Sequence, residues 1–287
     1  MQTIDKKLQN YIVSAKLIPA PHHECQDRFL IEQMSDGTVL LAVIDGHGRH
    51  SFCTDYLHSH LVKKLFSHIQ FSKDIDAMKR GIQKCFDQLD YEICSREETH
   101  KGGAVLTLAV LSHPVLFNDV LIANVGDCWA SILRKDVVLH LTRDHNAAEP
   151  REQKRLTETI LSVCPSFDTD WLFSKKAGKA VYFYQVLQPV RNFGNCYFKS
   201  TYHCKNSMIG KKEELCKLID AGVDLINPVA TFTLSKMEKD DVLILSSDGF
   251  ERKAVEKAKI DFSKPLKKQY IHSRLDDATI ITVRRSS

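Results

Sequence analysis

Six consecutive apolar residues, Val39-Leu40-Leu41-Ala42-Val43-Ile44, stop on Asp45-Gly46-His47-Gly48. An apolar run of that length ending in a turn signal predicts a buried strand. A buried strand that stops on a carboxylate holds a hard oxygen ligand at a fixed place on a rigid edge. The two glycines permit a tight turn and a close approach of backbone to a ligand. His47 is within reach of the same spot and can exchange protons near neutral pH.

The pattern recurs along the chain. Val242-Leu243-Ile244-Leu245 leads into Asp248-Gly249, and Gly126-Asp127 follows Leu121-Ile122-Ala123. Asp276-Asp277 immediately precedes Thr279-Ile280-Ile281-Thr282-Val283, and Asp27 sits just before Phe29-Leu30-Ile31. Any one of these reads as an Asp capping a turn. As a set, strand-end carboxylates aimed at a common rim would repel unless a cation sits between them. An all-oxygen donor set favours Mg²⁺ or Mn²⁺, and two such ions can hold a phosphoryl group and activate a water.

Helices and strands come in blocks. Glu32 to Gly37 separates Phe29–Ile31 from Val39–Ile44 as a hairpin. Phe52, Tyr56, Leu57, Leu61 and Leu65 recur at helical spacing, and a second helix is predicted from about Ile75 to Ile93. Strands are predicted at Ala104–Leu111, Val120–Asn124, Ala130–Leu133 and Val137–Leu141. A helix-compatible stretch from Ala147 to Leu161 then precedes an irregular region from Cys164 to Lys179. Val181–Leu187, Val229–Leu234, Val242–Ser246 and Ala278–Val283 complete the strands. Blocks of this kind predict an α+β fold of antiparallel sheets covered by helices, in one domain over residues 1–287.

Composition narrows the function classes. The formal charge of +4 is spread over alternating acids and bases, with no basic block suited to nucleic acid. No run of about 18 apolar residues offers a membrane span, and the charged first twenty residues do not read as a secretory signal. Nine cysteines without a C-x-x-C pair point to reduced thiols. The expectation is a soluble, monomeric protein of the cytoplasm or nucleus.

The motifs, taken in order, resemble the PPM family of metal-dependent protein phosphatases, the type 2C Ser/Thr phosphatases. Asp-Gly-His-Gly stands at Asp45 to Gly48, and the Gly-Asp-Ser-Arg element is matched by Gly126-Asp127-Cys128-Trp129. Thr142-Arg143-Asp144-His145 matches Thr-x-Asp-His, and Leu243 to Gly249 matches Leu-x-x-Ser-Asp-Gly with one inserted serine. Leu187 to Asn195 is a weaker copy of the Ser-Arg-x-Phe-Gly-Asp segment, and Asp276-Asp277-Ala278-Thr279 replaces the terminal Asp-Asn-x-Thr.

The resemblance implies two packed antiparallel β-sheets flanked by α-helices on both sides, a four-layer αββα arrangement. It implies a hydrolase that removes phosphate from phosphoserine and phosphothreonine of a phosphoprotein substrate. Two divalent cations, Mg²⁺ or Mn²⁺, would be held by Asp45, the Gly46 carbonyl, Asp248 and Asp276, with Asp127 helping to bind a third, weaker ion. Asp27 would orient the attacking water, and His47 would be the general acid.

The chain also departs from the family pattern. His22 stands where many members carry a phosphate-binding Arg, and Arg28, Arg49 and Arg191 are the cations that could compensate. Gln26 replaces an acid beside Asp27, Asn195 replaces the Asp of the Gly-Asp element, and Arg252 falls near another acid position. The Gly-Ser-Thr-Ala strand motif becomes Gly102-Gly103-Ala104-Val105, and the stretch between Asp248 and Asp276 is short, as if a helix were trimmed. These changes keep open an alternative, a weakened or inactive pseudophosphatase that serves as a binding scaffold.

Overall fold

The run at 39–44 is apolar at every position because both of its faces are covered. In the computed structural model, Leu40, Ala42 and Ile44 pack toward two helices while Val39, Leu41 and Val43 pack against a second sheet. This is the alternation of a strand buried between two layers. The described residues are 1–48, 50–70, 72–96, 102–170, 172–175, 180–184, 186–200, 213–250, 252 and 276–286.

In chain order the elements are β1 (Gln2–Lys7), β2 (Tyr11–Ile18), β3 (Arg28–Gln33), β4 (Val39–Gly48), α1 (Phe52–Ile69) and α2 (Ile75–Cys94). They continue with β5 (Gly102–Leu111), β6 (Asp119–Val125), β7 (Trp129–Arg134), β8 (Val137–His140) and α3 (Pro150–Val163). The rest are β9 (Phe173–Lys175), β10 (Val181–Phe183), β11 (Phe193–Gly194), α4 (Glu213–Asp220), β12 (Thr231–Lys236), β13 (Val242–Ser246) and β14 (Ala278–Arg285).

Two antiparallel sheets dominate. One has the order β1-β2-β14-β13-β7-β8, the other β12-β6-β5-β4-β3 with β11 pairing beside β5, and β9 and β10 form a separate ribbon. Val13, Val43, Ile122, Ile132, Leu245 and Ile281 meet between the two large sheets. Helices α1 and α2 cover the outer face of the β4-containing sheet through Leu57, Leu61, Ile82, Phe86 and Leu89. Asp74 Oδ1 accepts the Ala77 amide at 2.6 Å and caps the start of α2. A smaller apolar cluster joins α3, α4 and the 183–198 segment through Leu156, Ile160, Phe183, Phe198 and Leu218. No described helix is long and apolar enough to cross a membrane.

The α+β class with antiparallel sheets agrees with the sequence reading, and several boundaries differ. β1 and β2 were not predicted, although Tyr11, Val13, Ala15 and Leu17 alternate with less buried residues. The strand expected over Val181–Leu187 is confined to Val181–Phe183, because the chain turns back and Phe183 bridges to Leu187. Helix α3 starts at Pro150, a residue suited to a first helical position, and not at Ala147. The trimmed stretch between Asp248 and Asp276 falls largely on 253–275, outside the described residues, as do Arg49 and part of the irregular region.

Candidate active site

Four strand ends deliver carboxylates to one pocket of about 420 Å³, lined by Asp45, Asp127, Asp248 and Asp276 together with Gly46 and His47. Asp45 lies near the end of β4, on the row of Val39, Leu41 and Val43 that faces the second sheet. Asp248 follows β13, Asp276 precedes β14, and Asp127 follows β6. His23, Glu24, Gln26, Gln188 and Pro189 close the other sides.

Hydrogen bonds between distant segments hold these corners. Ser247 donates from its backbone N to the Thr279 carbonyl at 3.0 Å, and its Oγ accepts the Thr279 amide at 2.9 Å. The same hydroxyl donates to Asp27 Oδ2 at 2.9 Å, tying the start of β3 to the Asp248 corner. Asp277 is turned away from the pocket and accepts the backbone amides of Ala20 and Gln26, each at 2.7 Å. It clamps the loop that carries His23 and Glu24. Gly249 is required there, since a Cβ would fall onto the Asp277 carbonyl oxygen. On the Asp127 side, the Gly126 amide donates to His145 Nδ1 at 3.1 Å, and the His145 amide donates back to the Gly126 carbonyl at 2.9 Å. With Nδ1 accepting, His145 is neutral and its Nε2 hydrogen is free for Thr231 Oγ1 at 3.2 Å. Burial pushes the His145 ring down to about 3. Neither Asp277 nor His145 was assigned a role from the sequence.

The electrostatics are those of like charges held together. Burial, then Asp27, Asp248, Asp127 and Asp276, push the Asp45 carboxyl well above its ordinary range. Burial followed by Asp248 and Asp144 does the same to Asp127. Asp27, nearly fully buried, is pushed up to about 7. Burial and then the Lys199 ammonium push His47 down to about 4, so its ring is neutral at physiological pH. Burial beside the same aspartates raises the Cys128 thiol, which is therefore no ready nucleophile.

Among the described residues, no group of three or more His, Cys, Asp or Glu side chains is placed to hold a metal ion as it stands. The donor set nevertheless fits hard divalent cations: it is made of carboxylates with a backbone carbonyl at Gly46, and their mutual repulsion is what a cation would relieve.

The remaining predicted residues are placed as follows. Asp27 sits behind the pocket wall, against Ser247, and does not line it. His22 is exposed and outside the lining, whereas the adjacent His23 lines the pocket. Arg28 is engaged by Asp55 at 2.6 Å and by the Cys25 and Asp27 carbonyls. Arg191 is engaged by Glu152 at 2.7 Å, so neither guanidinium lies free for a phosphate. Arg252 pairs with Asp144 at 2.7 Å and lies 5.6 Å from the centre of the Trp129 ring. Asn195 is buried and reaches His47.

The family model described as protein phosphatase 2C matches residues 18–262. The chain belongs to the protein phosphatase 2C family. It is 33% identical over 124 residues to Probable protein phosphatase 2C 71 of Arabidopsis thaliana, a match covering 42% of this chain and 26% of that protein. This protein phosphatase 2C chain spans less than half the length of the curated relatives it matches. Its fold is shared with a C. elegans sex-determining protein, at a TM-score of 0.70 and 18% identity over 97% of this chain and 65% of that one. A phosphatase from Toxoplasma gondii gives a TM-score of 0.69 at 17% identity, covering 99% and 95% of the two chains.

Proposed function

We propose that this protein phosphatase 2C member hydrolyses phosphoserine and phosphothreonine in a phosphoprotein, with two Mg²⁺ or Mn²⁺ ions and a weaker third. The convergence of Asp45, Asp127, Asp248 and Asp276 from four strand ends beside His47 carries the reading. Asp45, the Gly46 carbonyl, Asp248 and Asp276 would hold the two ions, and Asp127 would contribute to the third. Such ions, when bound, neutralise phosphoryl oxygens and make water acidic enough to attack phosphorus.

The protein's own groups do the rest. Asp27, held behind the pocket wall by the Ser247 hydroxyl, would orient the attacking water indirectly, through the Asp248 corner that it braces. His47, neutral and half-buried at the pocket, would serve the departing serine or threonine oxygen through a ring N–H. His22, exposed beside the pocket-lining His23, would meet the substrate phosphate from the rim.

One observation favours the second reading, a binding scaffold with little turnover: Arg28 and Arg191 are both committed to carboxylates. Hydrolysis of nitrophenyl phosphate across a Mn²⁺ titration separates the two readings. A catalyst shows Mn²⁺-stimulated turnover that falls at least about a hundredfold in Asp45→Asn. Equal rates in excess chelator would overturn the metal-dependent reading, and no turnover from folded protein would favour the scaffold.

A further inference from the structure

Inside the protein His47 meets Asn195, whose Nδ2 stands 2.6 Å from His47 Nε2. Gly103 makes the contact possible. It pairs with His47 on one edge of β5 and with Gly194 on the other, so β5 runs between the two side chains. A Cβ at position 103 would collide with Asn195 Nδ2 and lie 2.6 Å from His47 Nε2. Asn195 is itself held by its backbone amide, which donates to the Gly102 carbonyl at 2.9 Å. Its φ of 47° lies in the left-handed region that Asn tolerates.

The polarity of this contact is set from its far end. Asn192 Nδ2 donates to the Pro189 carbonyl at 2.9 Å, which leaves Asn192 Oδ1 facing Asn195. That oxygen accepts from Asn195 Nδ2 at 3.0 Å, so the same nitrogen, with its second hydrogen, faces His47. Asn195 Oδ1 in turn accepts from the Tyr197 hydroxyl at 3.4 Å. Turning the Asn195 amide over would set two oxygens against each other, and turning Asn192 over would do the same at Pro189. Both amides are buried, so water does not offer an exchange of partners.

We propose that Asn195 is a positioning residue that keeps the hydrogen of His47 off Nε2 and on Nδ1, so that His47 acts at the pocket as an Nδ1–H hydrogen-bond donor. A donor facing Nε2 needs that nitrogen's lone pair, and the ring then has one hydrogen left to offer. The catalytic consequence rests on the phosphatase reading; the hydrogen-bond arrangement does not. At residue 195 a carboxylate would invert the contact, since it can only accept.

The test is the ¹⁵N spectrum of the His47 ring in metal-free protein, assigned by loss of the signal in His47→Gln. The wild type is expected to show unprotonated Nε2 and protonated Nδ1. In Asn195→Asp, Nε2 is expected to move to the protonated range. A hydrogen on Nε2 in the wild type overturns the proposal, and that result needs no variant to fold. An unchanged Nε2 in folded Asn195→Asp overturns it as well. Because no turnover enters the measurement, an enzyme inactive on nitrophenyl phosphate would count against the phosphatase reading while leaving this assignment in place.

Discussion

Two polar clusters in this protein, one at the pocket and one buried around Lys199, settle their charges in opposite ways. Around Asp45, burial and then the neighbouring carboxylates of Asp27, Asp248, Asp127 and Asp276 raise its proton affinity. Around Lys199 the charges are matched: its Nζ donates to Asp90 at 2.6 and 2.7 Å and to the Asn192 carbonyl at 3.2 Å. Asp90 Oδ1 also accepts the Gly194 amide at 2.8 Å. The matched cluster is complete within the chain and braces the segment that carries Asn195. Among the described residues the unmatched one gathers like charges, the repulsion that bound cations would relieve on the proposed reading.

Breaking the matched cluster should cost most in stability. Lys199→Met leaves Asp90 buried without its cation and is expected to lose about 3–5 kcal/mol in urea unfolding. A loss below about 1 kcal/mol would mean that the pair is not a brace. The unmatched cluster should respond to ions instead. At Mn²⁺ a hundredfold above its dissociation constant, the wild type should gain about 2.7 kcal/mol. Lys199→Met should gain as much, and Asp45→Asn much less.

The smallest effect is a pH dependence. Asp27 is pushed up from 3.8 to about 7, so between those values native protein holds a proton that the unfolded chain has released. Its contribution to stability is therefore present below pH 4 and is lost as pH rises through about 7. In chelator, the stability of Asp27→Asn relative to wild type should rise by about 1–3 kcal/mol between pH 5 and pH 8. A constant difference would show that burial does not raise the proton affinity of Asp27.

Much of the unmatched cluster was legible in the sequence, because each acid stands beside an apolar strand run and its turn. Asp45 and Asp248 are announced by the runs before them, and the hairpin of β3 and β4 by the polar break between two such runs. The matched cluster was not legible. Asp90 lies on a helical stripe and Lys199 in a stretch with no periodicity, 109 residues apart, and only the folded chain brings them together. Arg191 looked like a candidate phosphate ligand until Glu152, 39 residues earlier, is seen to hold it. The roles of Asp277 and His145 were not legible for the same reason, since Asp277 holds the Ala20 amide 257 residues away and His145 meets Thr231 86 residues on. Gly103 and Asn195 were each visible as departures from the family pattern. The structure adds that Gly103, on β5, leaves the room in which Asn195 reaches His47.

The claim that the strand-end carboxylates form a cation site is tested most directly by calorimetric titration of metal-free protein with Mn²⁺. The account predicts saturable binding of two ions per chain, lost or strongly weakened in Asp45→Asn and retained in Asn195→Asp. Folded wild-type protein that binds no Mn²⁺, or an Asp45→Asn variant that binds as well as wild type, would contradict it.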